Sequence, residues 1–271
     1  MTIPQFQNKI LRWYQKNKRD LPWRKISDPY KILVSEIMLQ QTQISRVLPK
    51  YKLFLKEFPN LKTLASASDR KLLKIWEGLG YWRRALFLRE TARKIMNEYR
   101  GKFPQDSQTL QKLPGIGPYT ARAITCFAFS KKEAFLDTNI RRVYLHFFFQ
   151  KGKKISDKEI LKVAQKAVWR KKPKEWHYSL FDYGATVLKD KKINRQSLYY
   201  QKQSPFEGSF RSFRTKAMRF LLSQGKTSRK RLEVFLQKEI QNKRKSYTPK
   251  DILVSLSKDN LIKKSKKYYF I

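Results

Sequence analysis

The apolar positions of this chain recur mostly at helical spacing. Ala85, Leu88, Ala92, Ile95, Met96 and Tyr99 line one face of a single helix. Gly78-Leu79-Gly80 breaks the chain before it, and Gly101 with Phe103-Pro104 ends it. Ser107 is set to cap the next helix. Ile10, Trp13 and Tyr14 mark a first helix that ends before Leu21-Pro22-Trp23. Asp28-Pro29 opens another, carrying Ile32, Leu33, Ile37 and Leu39. Few segments alternate with period two before residue 260, and no internal repeat is visible. The pattern predicts a mostly α chain.

A polar, irregular stretch over 188–210, with Pro205 and Gly208, reads as a linker. The helical pattern then restarts. Met218, Leu221 and Leu222 share one helix, and Leu232, Phe235, Leu236 and Ile240 a second. Thr248-Pro249-Lys250-Asp251 has the form of a helix start: a cap, a proline at the first position, an acid at the third. Residues 261–271 read as a short β-hairpin. Three helices and a hairpin predict a small winged-helix-like α/β module over 205–271, although a plain three-helix appendage gives a similar pattern.

Charge narrows the partners. The 271 residues carry 62 Lys and Arg against 21 acids, a net charge of +41. Lysine outnumbers arginine, so part of this is compositional bias. The remainder implies a polyanionic partner, most simply nucleic acid. The single cysteine, Cys126, sits in an apolar helical run, which excludes an intramolecular disulfide and a Cys₄ zinc or iron–sulfur site. Two histidines, His146 and His177, are too few for a His-based metal centre. Met1–Asp20 is charged and amphipathic, without the apolar core of a signal peptide, and no apolar run approaches the ~20 residues of a membrane span. The expectation is an intracellular protein, cytoplasmic and nucleoid-associated, monomeric and without a membrane partner.

Candidate chemistry lies in three places. Leu113-Pro114-Gly115-Ile116-Gly117 reads as a tight turn between two helices, with Gly115 and Gly117 free to take positive φ. The helix opening at Pro118-Tyr119-Thr120 then presents N–H groups suited to a phosphate. Glu36 sits within an apolar helical stretch. It is either exposed on a polar face or buried with a raised pKa, and in the second case it can carry a proton to a leaving group. Asp137 is either a plain helix N-cap or an anion facing a developing cation. Tyr119 is either a packing ring or a group beside a bound backbone.

SEIMLQQTQ, GLGYWRRA, LPGIGPYTARAI and LDTNIRRV stand in the order and spacing of the helix-hairpin-helix (HhH-GPD) DNA glycosylase superfamily. The chain most resembles the adenine DNA glycosylase (MutY-like) branch, over roughly residues 6–204. The resemblance implies a two-subdomain helical fold: a glycosylase domain over 1–204, in which 1–26 and 132–204 form one subdomain and 27–131 the helical barrel with the hairpin, followed by the 205–271 module. It implies a monofunctional glycosylase of base excision repair. Such an enzyme flips adenine, mispaired with guanine or 8-oxoguanine, out of duplex DNA and cleaves its N-glycosidic bond. Glu36 matches the acid that protonates adenine N7, and Asp137 the residue that stabilises the oxocarbenium-like cation. Tyr119 and Asn139 match residues that position these two. Gln41 and Tyr81 match residues inserted into the duplex. Gly115, Gly117, Pro118 and Thr120 belong to the phosphate-holding hairpin, often with a monovalent cation on its carbonyls. Trp23 and Arg24 match the wall of the base pocket.

One position separates two branches. Endonuclease III-like enzymes carry a Schiff-base lysine where this chain has Tyr119, so strand cleavage by β-elimination is not expected. Mismatch thymine glycosylases share the tyrosine, which leaves thymine or uracil excision as the alternative. A non-catalytic DNA-binding protein on the same fold is a third reading. The chain also departs from the adenine branch. Leu188, Arg195, Leu198 and Ser204 occupy the four positions of the family's cysteine ligands, so no [4Fe–4S] cluster is expected and the loop is expected to hold by packing of Leu188, Ile193, Leu198 and Tyr199. The residues after the linker are too few for the family's Nudix-like domain, which reads 8-oxoguanine. Tyr178 stands where the family usually has Gln or Glu facing the adenine edge.

Overall fold

The structure is a computed structural model that describes residues 1–149, 153–189, 192–202, 204–243 and 246–271. The chain divides by contact into two units, Met1–Glu36 with Phe103–Lys202 and Ile37–Lys102 with Gln203–Ile271.

The first unit is built from α1 (Ile3–Asn17), a 3-10 turn (Pro22–Arg24) and all but the last turn of α2 (Pro29–Leu39). It continues with α7 (Ser107–Gln111), α8 (Pro118–Phe129), α9 (Thr138–Phe148), α10 (Asp157–Ala167) and α11 (Pro173–Thr186), and ends in a 3-10 turn (Lys192–Gln196). α1, α9 and α11 pack on one another. Phe6 is their common centre. Its ring meets Tyr144 at 5.6 Å, Phe148 at 4.9 Å and Trp176 at 5.5 Å between centroids, the last two edge-on. Such edge contacts add about 0.5–1.5 kcal/mol each beyond burial. α9 and α11 approach closely because α11 carries Gly184. A Cβ there would stand 2.4 Å from the Asn139 carbonyl oxygen and 2.8 Å from its carbon. Arg142 fixes the approach by donating to the Gly184 carbonyl at 2.6 Å.

The second unit contains α3 (Ile44–Glu57), α4 (Leu61–Ala65), α5 (Asp69–Trp76) and α6 (Arg83–Glu98), then α12 (Phe210–Gln224), α13 (Arg229–Gln241) and α14 (Pro249–Lys258). Strands β1 (Thr227–Ser228), β2 (Lys263–Lys264) and β3 (Tyr268–Phe270) form a small antiparallel sheet in the order β1-β3-β2, with Thr227 opposite Tyr269 and Lys263 opposite Phe270. The winged-helix-like pattern is therefore present, capping box at Thr248 and Asp251 included. β1 was not foreseen, because two residues carry no periodicity.

Other details also depart from the sequence reading. Asp106, not Ser107, caps α7, accepting from Thr109 N at 2.7 Å. The hairpin segment from Phe103 groups with the first unit, where Ser107 donates to Glu133 at 2.9 Å and Arg122 to the Ala134 carbonyl at 3.3 Å. Residues after 203 group with 37–102 rather than standing apart. Arg70 donates to the Leu222 carbonyl at 2.7 Å, and Asp69 bridges Arg89 at 2.6 Å and Lys263 at 2.8 Å. In the stretch read as a linker, Lys192–Gln196 form a 3-10 turn, and residues 190, 191 and 203 lie outside the described set.

Gly184→Ala is expected to lower stability by about 1–3 kcal/mol. In an open helix the same change stabilises by up to about 1 kcal/mol. Denaturant unfolding gives the sign directly, and a gain in stability would rule out the close approach.

Candidate active site

Glu36 is the last residue of the first unit and is only 6% exposed. Of the two sequence readings, the buried one holds. The Tyr119 hydroxyl donates to Glu36 Oε2 at 3.1 Å. Burial, offset in part by that hydrogen bond and reinforced by the charge of Asp137, raises the Glu36 pKa to about 7. A carboxyl titrating there is protonated in large part at neutral pH and can act as a general acid. Burial also holds the Tyr119 phenol well above its ordinary range, with the negative charges of Glu36 and Asp137 adding to the effect. Tyr119 is thus a fixed donor.

Asp137 sits at the N-cap of α9 in extended conformation. Its Oδ1 accepts from Asn139 N at 3.0 Å and Ile140 N at 2.7 Å, and its Oδ2 from Asn139 Nδ2 at 2.9 Å. Burial raises its pKa despite these three bonds. The cap reading is correct as far as it goes, and Asn139 clamps the carboxylate in one orientation. The charge of Asp137 adds to the rise at Glu36.

Around them lies an aromatic and cationic wall. Tyr178, nearly buried, stacks on Phe127 at 4.4 Å between centroids, and the Arg24 guanidinium lies 4.6 Å from its ring centre. Arg24 holds Asp182 through two bonds of 2.7 Å, and Arg19 adds one of 2.6 Å. Asp182 is fully buried, and its pKa stays low because the arginines outweigh burial. This triad was not anticipated; Asp182 in an apolar helix, like Glu36, was the available signal. Trp23 is buried beside the same turn. His177 stacks on Phe135 at 4.0 Å and is held neutral, its pKa lowered to about 4 by burial.

The hairpin joins α7 and α8. Gly115 takes φ +74°, as a left-handed turn position requires. Gly117 does not: it caps α8 with φ −85° and ψ 178°, and a Cβ there would meet nothing within 4 Å. Its value is an uncovered helix start. Leu113 and Ile116 anchor the turn inward, while Gly115, Gly117 and Pro118 are exposed. The Thr120 side chain is buried, so only its amide faces the helix start.

Gln41 and Tyr81 belong to the second unit. Both are non-glycine residues in the left-handed region, at φ 55° and 45°. Arg84, missed by the sequence reading, holds the two loops together. It donates to the carbonyls of Ile37 at 2.7 Å, Met38 at 3.1 Å and Gln40 at 2.5 Å, to Thr42 Oγ1 at 3.0 Å, and to the carbonyls of Leu79 at 3.1 Å and Gly80 at 3.2 Å. The guanidinium thus caps the end of α2 and staples residues 40–42 to 79–80. Burial lowers its pKa to about 10, so it stays charged.

At the four cluster positions, Leu188 is buried while Arg195, Leu198 and Ser204 are exposed. An aliphatic pair, a guanidinium and a hydroxyl are not ligands for iron–sulfur chemistry. Cys126 is buried in α8 with its pKa pushed up to about 12, the character of an inert thiol. The expected packing of the loop is corrected. Only Leu188 of the four apolar residues is buried, and Leu198 and Tyr199 are 55% and 69% exposed. Backbone bonds hold it instead, from Ile155 N to the Gln196 carbonyl at 2.8 Å and from Leu198 N to the Ile155 carbonyl at 3.0 Å.

Comparison with known proteins agrees with this architecture. Residues 34–171 match the family model of the HhH-GPD superfamily base excision DNA repair protein. The chain is 47% identical over 135 residues to an adenine DNA glycosylase of Mycolicibacterium smegmatis, covering 49% of this chain and 46% of that one. It is 38% identical over 192 residues to that of Buchnera aphidicola (69% and 54%), and 36% identical over 197 residues to that of Homo sapiens (68% and 36%). The chain spans about half the length of these curated relatives or less. Among solved structures, a thermostable thymine-DNA glycosylase superposes with a TM-score of 0.66 at 30% identity, covering 70% of this chain and 89% of that one. An endonuclease III trapped covalently on DNA gives 0.58 at 19% identity (68% and 86%), a likeness of fold. The chain belongs to the HhH-GPD superfamily of base excision DNA repair proteins. Among the described residues no helix is long and apolar enough to cross a membrane.

Two outcomes test this geometry. A pKa of about 7 in the fold against 4.5 in the open chain means that the folded state holds its proton more tightly. Stability from Glu36 is present below about pH 4.5 and is lost as pH rises through 7. Glu36→Gln, which removes the buried charge, is expected to raise stability at pH 8 by about 1–3 kcal/mol and to change little at pH 4; equal effects at both pH values would contradict burial of the ionised form. Arg84→Met is expected to cost about 2–4 kcal/mol in unfolding experiments, since it strands several buried carbonyls.

Proposed function

We propose that the protein is a monofunctional DNA glycosylase that removes adenine mispaired with guanine or 8-oxoguanine. The observation that carries this reading is the buried Glu36, held by Tyr119 and titrating near neutrality, beside a clamped Asp137. Its adenine DNA glycosylase relatives support the same assignment. Double-stranded DNA is the partner, and the charge of +41 suits it.

Glu36 gives its proton to N7 of a flipped adenine, and the bond from C1′ to N9 breaks with its electron pair leaving on the base. Asp137, fixed by Asn139 and the first amides of α9, faces the cationic sugar that forms. Water then adds to C1′ and loses a proton. Tyr119 has no amine, so no Schiff base forms and the strand stays intact. Gln41 and Tyr81 insert into the duplex, the hairpin from Gly115 to Thr120 holds phosphate and its residues would hold a monovalent cation that screens that charge, and Trp23, Arg24 and Tyr178 wall the base. No [4Fe–4S] cluster takes part.

The likeness to a thymine-DNA glycosylase at 30% identity favours pyrimidine excision as the second reading. Single-turnover base release decides between the two, using adenine opposite 8-oxoguanine or guanine, and thymine or uracil opposite guanine, with alkali to reveal abasic sites. Adenine release with breaks only after alkali is expected; release of a pyrimidine instead would overturn the adenine reading. The rate is expected to fall as pH rises through about 7, where Glu36 ionises. Glu36→Gln is expected to lose at least about 10²-fold in rate with binding kept. Tyr119→Phe removes the bond that lowers the Glu36 pKa, so its alkaline limb is expected to move to higher pH.

A further inference from the structure

The C-terminal module carries charge where its own fold does not favour it. The β2–β3 hairpin is the wing of the module. Lys264 pairs with Tyr269, and Ser265 N donates to the Tyr268 carbonyl at 2.8 Å, so Lys266 and Lys267 form the tip of a two-residue turn. Such turns favour Asn and Gly, and a lysine pair brings neither their backbone freedom nor any mutual attraction. The first turn of α13 holds Arg229, Lys230 and Arg231 and no acid. The helix dipole opposes each of these cations.

The two features lie side by side. β1 pairs with β3, Ser228 opposite Tyr268, and Arg229 N donates to the Lys267 carbonyl at 2.9 Å. Lys226 Nζ stands 4.7 Å from the centre of the Tyr268 ring. Lys226, Lys230, Lys264, Lys266 and Lys267 are all exposed, and among the described residues none of them forms an ion pair. The acids at hand are taken: Glu233 by Arg229 at 2.8 Å, and Asp69 by Arg89 and Lys263. Like charges crowded on one edge repel one another unless an anion lies across them.

The kind of anion follows from the groups on offer. Arg229 is bonded to Glu233 and Arg231 to the Gln224 side chain at 2.8 Å, which leaves lysines as the open cations. A lysine is a point charge without the planar fork that reads a base edge. The Tyr268 ring already carries Lys226, so it is not a bare face for stacking. α14, the helix placed to read a groove in such a module, exposes Lys250, Asp251, Val254 and Lys258, and Asp251 is bound in the Thr248 cap. An acid and an aliphatic side chain there argue against base readout. Point charges in a row suit phosphates. The row is also remote from the loop of Tyr81. Arg211, bonded to the Tyr81 hydroxyl at 2.9 Å, stands at the start of α12. Lys226 follows the end of that helix, about 20 Å further along.

We propose that the wing and the start of α13 grip the phosphate backbone of duplex DNA away from the lesion, and that this grip is indifferent to the base being repaired. The proposal rests on the reading of duplex DNA as the partner, but its test does not need excision.

The test is equilibrium binding of the full chain to a lesion-free duplex over a series of salt concentrations. One variant combines Lys230→Gln, Lys266→Gln and Lys267→Gln. The control combines Lys158→Gln, Lys162→Gln and Lys166→Gln, which removes the same charge from exposed positions along α10. The slope of log affinity against log salt is expected to become shallower by about 2–3 in the first variant and by under about 1 in the control. Affinity at near-physiological salt is expected to fall about tenfold in the first variant, equally for lesion-free and mispaired duplexes. Its Tm is expected to stay the same or rise, because Lys230→Gln takes a cation from the positive end of α13. The proposal is overturned if the slope changes no more than in the control, which would mean a general effect of net charge. It is equally overturned if the loss is confined to the mispaired duplex, or if Tm falls, which would mean that these lysines serve the fold. Lesion-free DNA offers no base to excise, so absence of adenine release would sink the proposed function and leave this measurement standing.

Discussion

The desolvated carboxyl of Glu36 is the constraint on which the first unit depends. Holding a carboxyl near a pKa of 7 rather than 4.5 disfavours its charged form by about 3 kcal/mol. A chain of +41 offers many cations that would cancel this effect by pairing. The fold keeps them away from Glu36. The neutral Tyr119 hydroxyl donates to it, and the charge beside it is another acid, Asp137. Arg24, the cation on Tyr178, is committed to Asp182.

Asp137 shows that a structural and a chemical role need not compete. An N-cap aspartate accepts amide hydrogens and lies in the positive end of a helix dipole, which favours its anion. Burial works the other way, and the net shift is upward. The result is a carboxylate that is oriented yet poorly solvated. Oriented, poorly solvated charge is worth most opposite a developing cation. The close approach of α11 at Gly184 to the Asn139 backbone extends the same clamp into the core.

Much of this was legible in the sequence. The helices, the capping box at Thr248, the hairpin and the terminal strands follow from periodicity and turn chemistry. The burial of Glu36 does not. Ile32, Leu33, Val34, Ile37 and Met38 are all buried, so α2 is apolar on most sides and offers no polar face to compare against. The apolar stretch marked Glu36 as a candidate and left exposure and burial both open; the motif resemblance gave it the role of the acid. Arg84 was invisible for a related reason: its partners are main-chain carbonyls, and a backbone acceptor leaves no mark in a sequence. The grouping of residues after 203 with 37–102 was hidden in the same way, since it rests on Arg70 to the Leu222 carbonyl and on Asp69 shared by two cations.

Those carbonyl partners explain how a chain with 62 cations and 21 acids stays folded. Acids are too few to pair with all of the cations, and several arginines bond helix-end carbonyls instead. Arg84 caps α2 at Ile37 and Met38, Arg93 caps α4 at Ala65, Arg70 caps α12 at Leu222, and Arg142 caps α11 at Gly184. The last carbonyls of a helix lack intrahelical donors and carry the negative end of the dipole, so a guanidinium there satisfies both at once. Its weak hydration makes it the cation least costly to bury in this way. Lysine, more strongly hydrated, lies mostly at the surface, with Lys174 on the Ile26 carbonyl an exception. The positive charge therefore includes arginines that hold loops and helix ends in place, and exposed lysines and arginines that give the surface its attraction for a polyanion.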